Sequence, residues 1–146
     1  MGYTEDLLDG LASATAAAGI GLYQDTAYAA SDIGIGIGDI PTDCISGIGI
    51  TDYLATNDSP NQALGLVGIQ FLFRGLPDDR ISVTNLADAV FQLWQGVTHR
   101  QFGTCHVIQM LRRTSLPLGV DELRRWRRAD NYYLDINPPA TSNRNQ

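Results

Sequence analysis

Residues Leu64–Arg74 read Leu-Gly-Leu-Val-Gly-Ile-Gln-Phe-Leu-Phe-Arg. Val67, Ile69, Phe71 and Phe73 recur at every second position, the period of a β-strand and not of a helix. The alternate positions, Leu66, Gly68, Gln70, Leu72 and Arg74, are also partly apolar. A strand of this kind is buried on one face and covered at least in part on the other, by loops or by another copy of the chain. Upstream, Ile33, Ile35 and Ile37 alternate with Gly34, Gly36 and Gly38, again a strand period, over a segment Ile33–Ile40 that Pro41 ends. Ile45–Tyr53 reads as a second strand, with Ile48 and Ile50 separated by Gly49, and Ala55–Ala63 as an exposed polar loop.

Two helices frame these strands. The first opens at Thr4, a possible N-cap, with Glu5 and Asp6 at the positive end of its dipole. Leu7, Leu8, Leu11, Ala14, Thr15 and Ala18 keep helical spacing, and Gly19 and Gly21 are stop signals. The second runs from about Val83 to Gln95, with Ser82, Thr84 or Asn85 as candidate caps and Val83, Leu86, Ala87, Val90 and Trp94 on one stripe. The turn Gly75–Asp79 precedes it. Phe102–Arg113 is expected as a strand and Leu116–Val120 as a turn around Pro117 and Gly119. Asp121–Arg128 is open between helix and strand. Asp130–Asn137 alternates once more, with Tyr132, Leu134 and Ile136 on one side. The fold class expected is α+β, a mixed and largely antiparallel sheet with two main helices packed on one face. One domain would span residues 1–137, followed by a polar tail over 138–146.

The 146 residues suit one domain. Hydrophobic residues at 44% support a folded core, and charged residues are few at 18%. The ten basic residues are all Arg, and the net charge is -6. This acidity argues against general affinity for nucleic acid or anionic membrane. The charge is unevenly placed. Met1–Thr98 carries two Arg against twelve acids, and His99–Gln146 carries eight Arg against four acids. The two halves either neutralise one another within a fold or meet between copies of the chain. No segment has the roughly 18–20 apolar residues that span a bilayer, and Glu5 and Asp6 stand where a signal peptide would be positive. The expectation is a soluble protein made in the cytosol, with Cys44 and Cys105 as free thiols.

No motif points to catalysis, a metal or a cofactor. Gly34–Asp39 superficially suits a dinucleotide loop. A phosphate cradle needs its glycines in a turn that opens a helix, and these lie in a strand pattern that runs into Pro41. Their expected use is a strand face left bare for close approach by a helix, a loop or a neighbouring subunit. His99, Cys105 and His106 lack zinc-site spacing. Asp78-Asp79 reads as turn chemistry. The Arg cluster around Trp126 (Arg112, Arg113, Arg124, Arg125, Arg127, Arg128) allows three readings: DNA phosphate contact, pairing with carboxylates of a neighbouring subunit, or a solvated surface.

In order and spacing, several segments together resemble the minor capsid or tail terminator family of long-tailed bacteriophages. They are the N-terminal helix, the strand closing at Pro41, Ile50-Thr51-Asp52-Tyr53, the polar loop, and Val67–Gly75. After these come Pro77-Asp78-Asp79, then Leu86-Ala87-Asp88-Ala89-Val90-Phe91, Pro117-Leu118-Gly119-Val120-Asp121, Arg125 and Asn131-Tyr132. The likeness covers roughly Thr4–Asn137; the Gly-rich strand and the dense Arg cluster depart from it. The resemblance implies a non-enzymatic structural virion protein. Such a protein forms a homohexameric ring at the head-proximal end of the tail tube and touches the tail tube protein and the head-tail connector or head completion protein. Double-stranded DNA passes through its lumen without specific binding. The implied location is the neck of the virion, and the host cytoplasm during assembly. A different neck component, or a small nucleic-acid- or nucleotide-binding module, is the rival reading.

Under the ring reading, Arg74, Arg112, Arg124 and Arg125 are the candidate subunit-interface residues, facing acids of the next copy. Asn57, Asp58 and Asn61 of the loop, with Asn143 and Arg144 of the tail, are the candidate contacts to tube or connector.

Overall fold

In a computed structural model that describes residues 2–56 and 65–137, the predicted alternation builds a six-stranded sheet. Helix α1 (Tyr3–Ala17) is followed by strands β1 (Ile33–Ile37), β2 (Ser46–Thr56) and β3 (Gly65–Pro77). Helix α2 (Arg80–Trp94) and strands β4 (Thr98–Phe102), β5 (Cys105–Val120) and β6 (Arg125–Asn137) complete the order. The sheet runs β1-β2-β3-β6-β5-β4. Only β1 and β2 pair in parallel; the other neighbours are antiparallel. The architecture is therefore α+β with a curled, mostly antiparallel sheet.

The central strand behaves as its pattern requires. Val67, Ile69, Phe71 and Phe73 are buried, and Leu66, Gln70, Leu72 and Arg74 are half-buried. In register with them, Tyr132 lies beside Ile69 and Leu134 beside Val67. Phe71 meets the edge of Tyr132 at a centroid distance of 5.3 Å. Both helices add to the same core, α1 through Leu7, Leu8 and Leu11 and α2 through Val83, Ala87, Val90 and Trp94. They also touch each other. The Trp94 indole N–H donates to Thr15 Oγ1 at 3.1 Å, and Thr15 Oγ1 donates to the Leu11 carbonyl at 2.7 Å. All three groups are buried, so the pair satisfies polar atoms that would otherwise be stranded in the core.

The glycines of β1 and β2 have a visible purpose. Gly34 pairs with Gly47 and Gly36 with Gly49, which makes one continuous surface without side chains. The connection from Gly38 to Ile45 lies on it. A Cβ at Gly36 would stand 2.1 Å from the Asp39 carbonyl oxygen, and one at Gly47 would stand 2.6 Å from Ile40 Cγ2. Parallel strands are usually joined by a dozen or more residues forming a helix. This shorter link succeeds because nothing projects beneath it. Of the three coverings the sequence allowed, the loop of the same chain is the one observed.

Several local expectations are corrected. Helix α1 begins one residue earlier than Thr4; Gly2 is the N-cap residue and supplies no side-chain cap. The α2 cap is Asp79, four residues before the predicted start at Val83. Its carboxylate accepts the Ser82 amide at 3.2 Å, while Ser82 Oγ donates to the Asp79 carbonyl at 2.7 Å. The expected strand Phe102–Arg113 divides into β4 and β5 at Gly103-Thr104, where Gly103 has φ +54°. Leu116–Val120 is strand and not turn, because β6 pairs with it as far as Val120 opposite Trp126. The turn lies further on, and its alternating exposed leucines hid the strand by offering no buried face. Asp121–Arg128 resolves into that turn and the start of β6.

Candidate functional site

The Arg cluster lies on the long β5–β6 hairpin, whose tip rests against the β3–α2 turn through the Asp78 amide and the Arg124 carbonyl, 2.9 Å apart. All four arginines nominated for a subunit interface have partners within their own chain. Arg74 donates from Nε to the Ile45 carbonyl at 2.9 Å and from a terminal nitrogen to the Cys44 carbonyl at 2.7 Å. Burial, and then the neighbouring Arg125, push its pKa down. Arg125 holds Asp121 at 2.8 Å and also reaches the Ile45 carbonyl at 3.2 Å. Burial of Asp121 opposes its charge, but hydrogen bonds from the Arg125 amide and guanidinium outweigh this and keep its carboxyl below the ordinary value. Arg124 pairs with Asp78 at an open surface, where such a contact is worth at most about 1 kcal/mol. Arg112 pairs with Asp130 at 3.3 Å and lies 4.1 Å from the Phe91 ring centre.

The structure brings Arg74 and Arg125 together on one backbone segment, Cys44–Ile45. Together they hold the glycine-covering loop at the end of the sheet where β3 finishes and β6 begins. Arg112 belongs to a second group, and Arg124 stands apart. Asn57, Asp58, Asn61, Asn143 and Arg144 lie outside the described residues.

Asp130 was not singled out from the sequence. Its carboxylate is fully buried and receives Arg112 at 3.3 Å, Arg128 at 3.4 Å and Ser115 Oγ at 2.5 Å. The signal was present: Asp130 continues the inward phase of Tyr132, Leu134 and Ile136, and an acid on a core phase needs a cation. Beside it the Tyr132 hydroxyl is buried with no hydrogen-bond partner among the described residues, and burial raises its pKa. Elsewhere, Cys44 and Cys105 are buried thiols, and the His99 and His106 rings lie 5.7 Å apart at the surface of β4 and β5.

What the hairpin offers to another molecule is apolar. Leu116, Leu118, Val120 and Leu123 are 56%, 38%, 48% and 63% exposed. Leu76 and Ile81, on the turn and helix start beside the tip, are also open. Below them a groove of about 300 Å³ is lined by Ile20, Ile33, Leu76, Leu86 and Ala89. These residues gather at the end of the sheet where β3 finishes and β6 begins. Single exposed apolar residues are ordinary, but a run of this kind marks a contact surface.

Compared with family models and with curated proteins, the chain matches none.

Proposed function

We propose that this chain is a structural subunit of a phage neck, a tail terminator whose copies close into a homohexameric ring on the head-proximal end of the tail tube. The observation that carries the reading is the exposed set Leu116, Leu118, Val120 and Leu123 on a hairpin whose tip is hydrogen-bonded to the β3–α2 turn and to the Ile45 carbonyl. A rigid, solvent-exposed hydrophobic projection is costly for a protein that works alone and useful for one that works in a closed assembly. The order of segments in the sequence points the same way.

In this reading both helices lie on one face of the curled sheet and stiffen it. The second face, with Leu66, Leu72 and Tyr133 half-buried, is partly covered by neighbours in the ring. The ring stops tube polymerisation on one side and presents a flat surface to the connector on the other. The chain's net charge of -6 suits a lumen through which DNA slides without adhering. Asn57, Asp58 and Asn61, with Asn143 and Arg144, remain the candidate contacts to tube and connector.

The test uses the purified full chain with and without its tail tube protein. Native mass spectrometry should find an assembly of six times the 15.9 kDa chain mass, and electron microscopy should find it at one end of each tube. Tubes that grow to the same length distribution with and without the chain, and carry no ring at either end, would refute the reading.

A further inference from the structure

The two edges of the sheet differ in charge. At the β1 edge the segment around Leu22 runs outside the strand, bridged to Gly34. Leu22 is 44% exposed there. Asp25 is exposed beside it, lining a pocket with Asp9 and Tyr23. Asp32 and Asp43 both stand close enough to Cys44 to raise its pKa, adding to the larger effect of burial. None of Asp25, Asp32 or Asp43 forms an ion pair among the described residues, and the chain has no basic residue before Arg74. This edge is an acidic strip around a leucine, and the cation that reaches it, Arg74, is engaged by the Cys44 and Ile45 carbonyls and pairs with none of these acids.

The opposite edge is its complement. β4 pairs with β5 only as far as Gln109. Beyond Arg112, β5 has β6 on one side and no strand on the other among the described residues. Arg113, Leu116 and Leu118 are exposed there. Arg113 rests over the Tyr133 ring at 5.4 Å, and Arg100, exposed on β4, rests over Trp94 at 5.3 Å. Unlike Arg112, Arg124 and Arg125, neither has a carboxylate partner among the described residues. Pro117 and three register shifts in β5 deny a neighbour the regular backbone ladder that strand addition needs. Recognition at this edge therefore falls to side chains.

We infer that the β5 edge of one copy, through Arg113, Leu116 and Leu118, docks on the acidic β1 edge of a second copy, around Leu22, Asp25 and Asp43. The contact joins two different surfaces on opposite edges, so each copy keeps one of each free for the next. That geometry propagates in one direction and makes a ring where the rotation from copy to copy closes, as the ring reading requires. The contact rests on the ring reading and names the surfaces that meet in it. A single neutral face weakens association, and added salt does so too, because the charges sit at the rim of an apolar contact.

Two variants test it. One removes the basic edge (Arg113→Ser, Leu116→Ser, Leu118→Ser) and the other the acidic edge (Leu22→Ser, Asp25→Asn, Asp43→Asn). All six side chains are exposed, and circular dichroism with thermal melting verifies that each variant folds. In native mass spectrometry each variant alone should be monomeric, while an equimolar mixture should give the heterodimer and nothing larger, since one intact edge of each kind remains. Rings from either variant alone, or a mixture that stays monomeric while the parent assembles, would overturn the edge pairing and leave the ring intact. A parent chain that never assembles, with or without tube, would overturn both.

Discussion

Replacing Gly36 with Ala adds one methyl group, and the structure makes that methyl expensive. The new Cβ would lie 2.1 Å from the Asp39 carbonyl oxygen and 3.1 Å from Pro41 Cδ, where ordinary contact begins near 3.4 Å. The Asp39 oxygen belongs to backbone, so no rotamer change relieves the clash. The Gly38–Ile45 connection must lift by roughly 1 Å, which loosens Ile40, now 5% exposed, from its bed on Gly47. Overpacking of this kind costs about 1–3 kcal/mol. For a chain of this size each kcal/mol lowers the melting temperature by about 2–4 °C, so a fall of about 2–12 °C is expected. Gly38→Ala is the control. Gly38 has φ +88° but open space around it, so Ala there meets only backbone strain of about 1–2 kcal/mol. Differential scanning calorimetry of both variants, at a protein concentration below assembly, measures the difference. Equal melting temperatures for Gly36→Ala and the parent would refute the claim that this strand face is bare to admit the loop.

Asp130→Ala leaves Arg112 and Arg128 without their buried carboxylate and should cost about 3–5 kcal/mol in urea denaturation, against about 1 kcal/mol or less for Asp78→Ala at the exposed Arg124 pair; similar losses would contradict this ranking. Hydrogen bonds from the Thr104 hydroxyl and amide hold the Asp6 carboxyl below its ordinary 3.8, so its stabilisation is complete above that value and is lost as pH falls through the lower, folded one. The melting temperature of the parent should therefore fall more steeply than that of Asp6→Asn as pH drops below 3.8, and parallel curves would refute the link. Burial pushes the Cys105 thiol up to about 11 and raises that of Cys44, so neither should react with a thiol reagent at pH 8 until denaturant is added. Labelling of either in the native protein, followed by intact mass, would count against their burial.

Much of the architecture is legible in the chain because its causes are local. Alternation in Val67–Phe73 and Ile33–Ile37 needs only a pleated backbone with two unlike faces, and the stripe of α2 needs only a helical turn. The same logic misleads at Leu116–Val120, where Pro117 and Gly119 resemble a turn and the alternate residues never reach a core. The capping of α2 by Asp79, and not by a residue nearer Val83, depends on where the β3–α2 turn places that carboxylate.

What the candidate surface looks like is a long-range matter. The sequence shows ten arginines and an acidic first half, but which charges find partners depends on strand order. The order β3-β6-β5 sets Arg74 and Arg125 over the carbonyls of Cys44 and Ile45, and seats Asp130 between Arg112 and Arg128. Among the described residues, the same order leaves Arg100 and Arg113 without a carboxylate partner at one edge and Asp25 and Asp43 without an ion pair at the other. Backbone periodicity is written residue by residue and can be read that way. Charge satisfaction is a property of neighbours brought together from distant parts of the chain, and only the folded sheet decides it.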